Sequence, residues 1–65
     1  MKGNYKVVTT LSPHGPLQTE DVSADYFEYN VDEDAYEFWD DNGSQDDTCV
    51  FSIQKHIVAY IRKTH

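Results

Sequence analysis

Two short runs of alternating aromatic and polar residues lie on either side of the acidic tripeptide Asp32-Glu33-Asp34. Apolar side chains recur at every second position in residues 27–31 and again in residues 36–38, which is the period of a half-buried strand. The tripeptide suits a turn. One register satisfies both runs, and it places these residues opposite each other: Phe27 and Phe38, Tyr29 and Tyr36, Tyr26 and Trp39, Glu28 and Glu37. The sequence therefore predicts a hairpin with an aromatic inner face.

A helix is the alternative for the same segment. Phe27, Val31, Ala35 and Phe38 also recur at helical spacing, with Ser23 available to cap the start and Gly43 to end the helix. The enrichment in aromatic and β-branched residues favours strands. An α+β fold with a helix near residues 23–39 stays open as the second possibility.

The first part of the chain predicts one strand and one long loop. Residues 5–11 are β-branched and aromatic with a period of two, so that one face would carry Tyr5, Val7, Thr9 and Leu11. Residues 12–24 contain Pro13, Gly15 and Pro16, which interrupt regular structure and predict a loop.

The last part of the chain predicts two further strands. Asp41-Asn42-Gly43-Ser44 is a strong turn signal, and residues 49–53 follow it as a strand with Cys49, Phe51 and Ile53 directed inward. Residues 54–56 predict a tight turn, and residues 57–62 predict the final strand.

These elements together predict one small, acidic, all-β domain over residues 1–65, mainly antiparallel. A long loop after the first strand and a strand, short turn and final strand at the end resemble the order of elements in SH3-like and Sm-like small barrels. The resemblance implies a small barrel, and a curved antiparallel sheet of four or five strands is equally compatible with the pattern. It rests on element order and implies no particular function.

Charge is strictly segregated along the chain. All twelve acidic residues lie between Glu20 and Asp47, no Lys, Arg or His lies there, and the net charge is −7. This charge argues against direct binding to nucleic acid or to an anionic membrane. A single cysteine, Cys49, and the lack of a signal-like or membrane-spanning apolar run predict a soluble cytoplasmic protein, in a bacterial host if the chain is phage-encoded.

The sequence offers no set of residues for catalysis, for a metal or for a cofactor. An EF-hand loop starting at Asp40 would need glycine and glutamate where Gln45 and Phe51 stand. Cys49 and His56 have no third group to orient them. We therefore expect a protein that is not an enzyme.

The acidic segment itself predicts the function. Carboxylates two residues apart on a strand are separated by about 6.6 Å, and regular anionic rows resemble a nucleic-acid backbone, as in phage-encoded nucleic-acid mimics. The composition resembles phage or mobile-element inhibitors, including anti-CRISPR and anti-restriction proteins. We therefore expect binding to, and inhibition through, a basic surface of a nucleic-acid-binding protein. The candidate partner-binding residues are Tyr26, Glu28, Asp32, Asp34, Glu37, Trp39, Asp40 and Asp41.

The competing hypothesis is a self-assembling structural or adaptor module with a small β-barrel fold and no inhibitory role. Such a module would associate through exposed strand edges, and a homodimer is one form that it allows. In that case the acidic residues would serve only to keep the protein soluble.

Overall fold

The computed structural model describes residues 2–10 and 14–64, and in them the chain is built from β-strands. The elements in order are β1 (Gly3–Thr9), β2 (Gln18–Ala24), β3 (Tyr26–Asn30), β4 (Ala35–Asp40), β5 (Thr48–Gln54), a 3-10 turn (Lys55–Ile57) and β6 (Val58–Lys63). They form two three-stranded antiparallel sheets, with orders β2-β1-β6 and β3-β4-β5. The prediction of a mainly antiparallel all-β fold is confirmed.

The hairpin of β3 and β4 has the predicted register. Phe27 lies opposite Phe38, Tyr29 opposite Tyr36, Tyr26 opposite Trp39 and Glu28 opposite Glu37. The turn is closed by Asn30, whose Oδ1 accepts hydrogen bonds from the backbone N–H groups of Asp32 and Glu33 at 3.0 and 3.1 Å. The alternative helix near residues 23–39 is wrong, because these residues form strands whose aromatic rings pack on one face.

The prediction of a loop over residues 12–24 is wrong for its second half, which is β2. This strand pairs along the whole of β1, from Gly3 opposite Ala24 to Thr9 opposite Gln18. Prolines 13 and 16 precede the strand, so they do not interrupt it. Val22 and Ala24 are two positions apart on the strand, so both small apolar side chains point into the core. Leu11, the predicted end of the first strand, and Pro13 lie outside the described residues.

The core lies where the two sheets meet. Its buried members are Tyr5, Val7, Val22, Ala24 and Phe38. The first four come from β1 and β2, while Phe38 comes from β4 in the other sheet. The two sheets are connected directly, because β2 ends at Ala24 and β3 begins at Tyr26. Phe38 thus holds one sheet against the other.

The prediction that Cys49 points inward is wrong, and a β-bulge is the reason. Phe38 pairs with Phe51 but its neighbour Trp39 pairs with Cys49, so that Val50 is an extra residue in β5. The bulge reverses the alternation of side chains, and Cys49 is exposed. Phe51 and Ile53, after the bulge, are half-buried and pack against the core as predicted.

The final turn and strand are present, one residue later than predicted. The strand, short turn and final strand that resemble the end of small barrels are therefore found, but the long loop after the first strand is not, and the two sheets do not close into a barrel. Each sheet keeps two edge strands: β2 and β6 in one, β3 and β5 in the other. None of the described residues belongs to a helix that is long and apolar enough to cross a membrane.

Candidate partner-binding face

Four of the candidate residues share the outer face of the β3–β4 hairpin. Tyr26 and Glu28 on β3 lie opposite Trp39 and Glu37 on β4. We call these four residues the anionic face. Phe27 and Phe38, which alternate with them, stack at 5.1 Å between ring centroids on the other face. Packing of these rings against the first sheet therefore fixes which way the carboxylates point.

Glu28 and Glu37 are direct cross-strand neighbours with the same charge. Such pairs destabilise a sheet. Neither carboxylate forms an ion pair within the described part of the chain, although Asn30 lies beside Glu37, with Nδ2 at 3.4 Å from each Oε. The only polar group that the described residues place against this pair is the neutral amide of Asn30, so no cation of the chain offsets the repulsion.

Acidic residues also surround Tyr26 at one end of the anionic face. The Tyr26 hydroxyl donates a hydrogen bond to Asp47, and this bond raises the pKa of Tyr26 to about 12. Asp25 and Asp41 lie beside the ring and, with Tyr26 and Gly43, line an open cleft of about 420 Å³. The Asp25 carboxylate accepts a hydrogen bond from the Asp41 backbone N–H at 2.7 Å, which fixes this end of the hairpin. The end is anionic, concave and held in place by the backbone.

The turn at the other end divides its acidic residues between two faces. Asp32 is exposed beside Asn30. Asp34 has a positive φ of 52° and accepts a hydrogen bond from the hydroxyl of Tyr29, which belongs to the aromatic face. The bond raises the pKa of Tyr29, and the Lys55 ammonium lies 5.2 Å from the centroid of the same ring. Asp34 therefore lies away from the anionic face and close to a cation of the chain itself.

Asp40 is also separated from the anionic face. It alternates with Trp39 along β4, its side chain is 16% exposed, and its Oδ2 forms an ion pair with Lys2 Nζ at 2.7 Å. The hydrogen bond from Lys2 to Asp40 raises the pKa of that lysine. Because Asp40 already has a cation and is mostly buried, it is a poor contact for a partner.

Trp39 is less accessible than an interface anchor would be. The residue is half-buried, and its indole Nε1 is enclosed without a hydrogen-bond partner among the described residues. Tyr26 is half-buried as well. The aromatic side chains thus support the carboxylates of the anionic face and expose only part of their surface.

The structure adds one residue that the sequence analysis missed. Asp47 reaches Tyr26 from the position just before β5, because Trp39 pairs both with Tyr26 and with Cys49. Finding it from sequence would have required the bulge at Val50, which shifts the register of β5 by one residue. The anionic surface therefore extends beyond the hairpin to Asp47, the residue before β5.

Among the described residues, no group of three or more His, Cys, Asp or Glu side chains is arranged to hold a metal ion. Fold and site together define a small acidic two-sheet β-protein with one strongly anionic sheet face. Comparison of the chain with protein-family models, with curated proteins and with solved structures gave no match.

The hydrogen bond between Tyr26 and Asp47 predicts a loss of stability in alkali. An unfolded tyrosine has a pKa of about 10, so the unfolded chain releases this proton before the folded chain does. The contribution is complete below about pH 10 and is lost as the pH rises through the folded pKa of about 12. Lys2, whose pKa is also raised, acts in the same direction.

Asp47→Ala should therefore lower the pKa of Tyr26 towards that of free tyrosine and reduce the alkaline loss. Absorbance titration of tyrosinate would show one of the five tyrosines ionising earlier. Asp46→Ala removes a neighbouring exposed carboxylate and should leave the titration almost unchanged. Identical curves for wild type and Asp47→Ala would contradict the assignment.

Proposed function

We propose that this protein binds a basic surface of a nucleic-acid-binding protein and blocks it by presenting the anionic face in place of nucleic acid. The observation that carries the proposal is the like-charged pair Glu28–Glu37, which lies in the middle of the hairpin and has no ion-pair partner among the described residues. A surface selected only for solubility mixes charges of both signs. Here the repulsion within the pair is offset only when a cation binds.

The arrangement of charges favours a ligand that carries several cations. Carboxylates occur in the middle of the hairpin at Glu28 and Glu37, at one end at Asp41 and Asp47, and at the other end at Asp32. Side chains directly opposite each other on an antiparallel pair have Cβ atoms about 5 Å apart, so Glu28 and Glu37 present two carboxylates side by side. A surface that contacts several phosphates has several Lys and Arg side chains, which would meet this pair together with the carboxylates at the two ends. Arginine is favoured in particular, because its planar guanidinium can bind a carboxylate through two hydrogen bonds.

The mechanism is steric and electrostatic and needs no chemical step. The charge of −7 attracts a cationic partner over distances of about one Debye length, which accelerates association at low salt. Once bound, the sheet covers the surface that would otherwise contact phosphates. Inhibitors of this type act inside the cell that contains their target, and we place this one in the cytoplasm of a bacterial host.

Capture from a bacterial lysate tests the proposal. The tagged protein is loaded at low salt, and retained proteins are eluted with a rising salt gradient and identified by mass spectrometry. We expect a nucleic-acid-binding protein released at moderate salt, with affinity that falls more than about tenfold between 50 and 500 mM salt.

The purified partner then decides between competition and simple association. Labelled duplex or single-stranded nucleic acid, bound to the partner, should be displaced by this protein with a midpoint close to its binding constant. A stable complex of all three components at saturation would contradict the proposal, because a mimic and its nucleic acid cannot occupy the same surface.

A further inference from the structure

The strand β5 differs from the other three edge strands because it carries no charged side chain. The other edges are each marked by charge: β2 by Glu20 and Asp21, β3 by Glu28, and β6 by Arg62 and Lys63. Charged side chains are the usual protection of a sheet edge against pairing with another strand. The seven residues of β5, Thr-Cys-Val-Phe-Ser-Ile-Gln, lack it.

The side chains of β5 are also poorly covered. Five of the seven are exposed, including Val50 at 43%, and only Phe51 and Ile53 are half-buried. The bulge at Val50 interrupts the first half of the strand, as bulges at edges often do. From Phe51 to Gln54 the pairing with β4 is regular, so the irregularity is confined to the first half of the strand.

Charges of opposite sign flank β5. Asp46 and Asp47 precede the strand, and Lys55 follows it, with His56 as the next residue. An antiparallel pair of β5 strands related by a two-fold axis at Phe51 would set Asp47 of each copy near Lys55 of the other, and Asp46 near His56. A parallel pair would instead bring Asp47 near Asp47 and Lys55 near Lys55. The edge is therefore complementary to itself in the antiparallel direction alone.

We propose that β5 is a self-association edge, at which two copies of the chain pair antiparallel about a two-fold axis and form one continuous six-stranded sheet. The strand that pairs with β5 is a second copy of β5. A neutral strand has no charge with which to attract a basic partner, whereas the charges that flank β5 are complementary to those of an antiparallel β5. Within one chain Asp47 accepts a hydrogen bond from Tyr26 and Lys55 lies over Tyr29, and both residues are exposed to a neighbouring molecule.

We expect this self-association to be weak. One edge of seven residues buries less area than a standard interface, and each copy carries a charge of −7. We expect a dissociation constant on the order of 100 µM, which falls as salt screens the repulsion. The inference shares only Asp47 with the anionic surface. Self-association is measured on the chain alone, without the inhibited partner, so the inference stands or fails independently of the proposed inhibitory function.

A charge-exchange experiment tests both the edge and its direction. The first variant combines Asp46→Lys with Asp47→Lys, and the second combines Lys55→Asp with His56→Asp. Each variant alone places like charges at both ends of the antiparallel pair, and each should weaken self-association at least tenfold. An equimolar mixture should restore it, because every end of the mixed pair again joins opposite charges. Sedimentation equilibrium between about 10 µM and 1 mM measures all four samples.

The mixture also controls for folding, since two unfolded variants could not restore a defined dimer. Wild type that remains monomeric throughout this concentration range would overturn the proposal. Variants that dimerise as well as wild type would overturn it too, because the contact would then lie elsewhere. Dimerisation of wild type and of the mixture, with neither variant alone dimerising, is the expected result.

Discussion

Replacing Phe38 by alanine is expected to remove much or all of the stability of the folded chain at 25 °C. The Phe38 ring is 0% exposed, and it contacts Tyr5 at 5.4 Å, Phe27 at 5.1 Å and Phe51 at 5.8 Å between ring centroids. Truncation of a fully buried phenylalanine costs about 3–5 kcal/mol. At about 0.05–0.15 kcal/mol per residue, a chain of this length has about 3–10 kcal/mol of stability in total. The loss therefore consumes much or all of it.

Phe27→Ala is the matched control, because it removes the same atoms from a ring that stacks on Phe38. Phe27 is 38% exposed, so part of its surface already faces water and its truncation should cost less than half as much. Urea unfolding followed by circular dichroism gives both values. Equal losses for the two variants would show that Phe38 does not hold the sheets together as described.

The hairpin was predictable because two independent patterns agreed on one register. The alternation in residues 27–31 and that in residues 36–38 have to meet across a turn of fixed length, and a slip by one residue would expose every ring. Aromatic cross-strand pairs and the acidic turn gave the same answer. The local sequence therefore contained enough information to predict this element.

The missed features all depend on contacts far apart in the chain. The strand β2 has a mostly polar sequence, and its only inward apolar residues, Val22 and Ala24, are buried by the other sheet. Cys49 is exposed because of a bulge, which follows from how β5 fits against β4. Asp40 is removed from the surface by Lys2, thirty-eight positions earlier in the sequence. None of these can be read from a local pattern.

The candidate site was predictable within the hairpin and not beyond it. The members that lie within the hairpin, Tyr26, Glu28, Glu37 and Trp39, share one face because the register was right. The strand ends and the turn were not resolved by alternation, since side chains there follow individual hydrogen bonds. Asp34 is thus held by Tyr29, and Asp47 joins the surface through Tyr26.

The second large effect is expected from Glu28→Lys, which should weaken partner binding about a hundredfold or more while making the protein more stable. The substitution places a cation in the middle of the anionic face, where it repels the Lys and Arg side chains of the partner. Truncating or reversing a charge at the centre of an interface typically costs 2–5 kcal/mol of binding free energy. The same lysine faces Glu37 across the strands and turns a repulsive pair into an attractive one, which contributes about 0.2–1 kcal/mol to folding.

Opposite changes in binding and in stability distinguish a functional face from a solvating one. Glu20→Lys is the matched control, because it makes the same change of charge at an exposed position outside the anionic sheet. Glu20 lies on β2 and pairs with Val7 of β1 in the other sheet, β2-β1-β6. By long-range attraction alone, both variants should slow association equally. If Glu28→Lys loses more affinity than Glu20→Lys, and the difference appears as faster dissociation, the contact with the partner lies at Glu28. If both variants bind equally well, the Glu28–Glu37 pair is not the contact with the partner. A cationic partner then does not offset the repulsion within the pair.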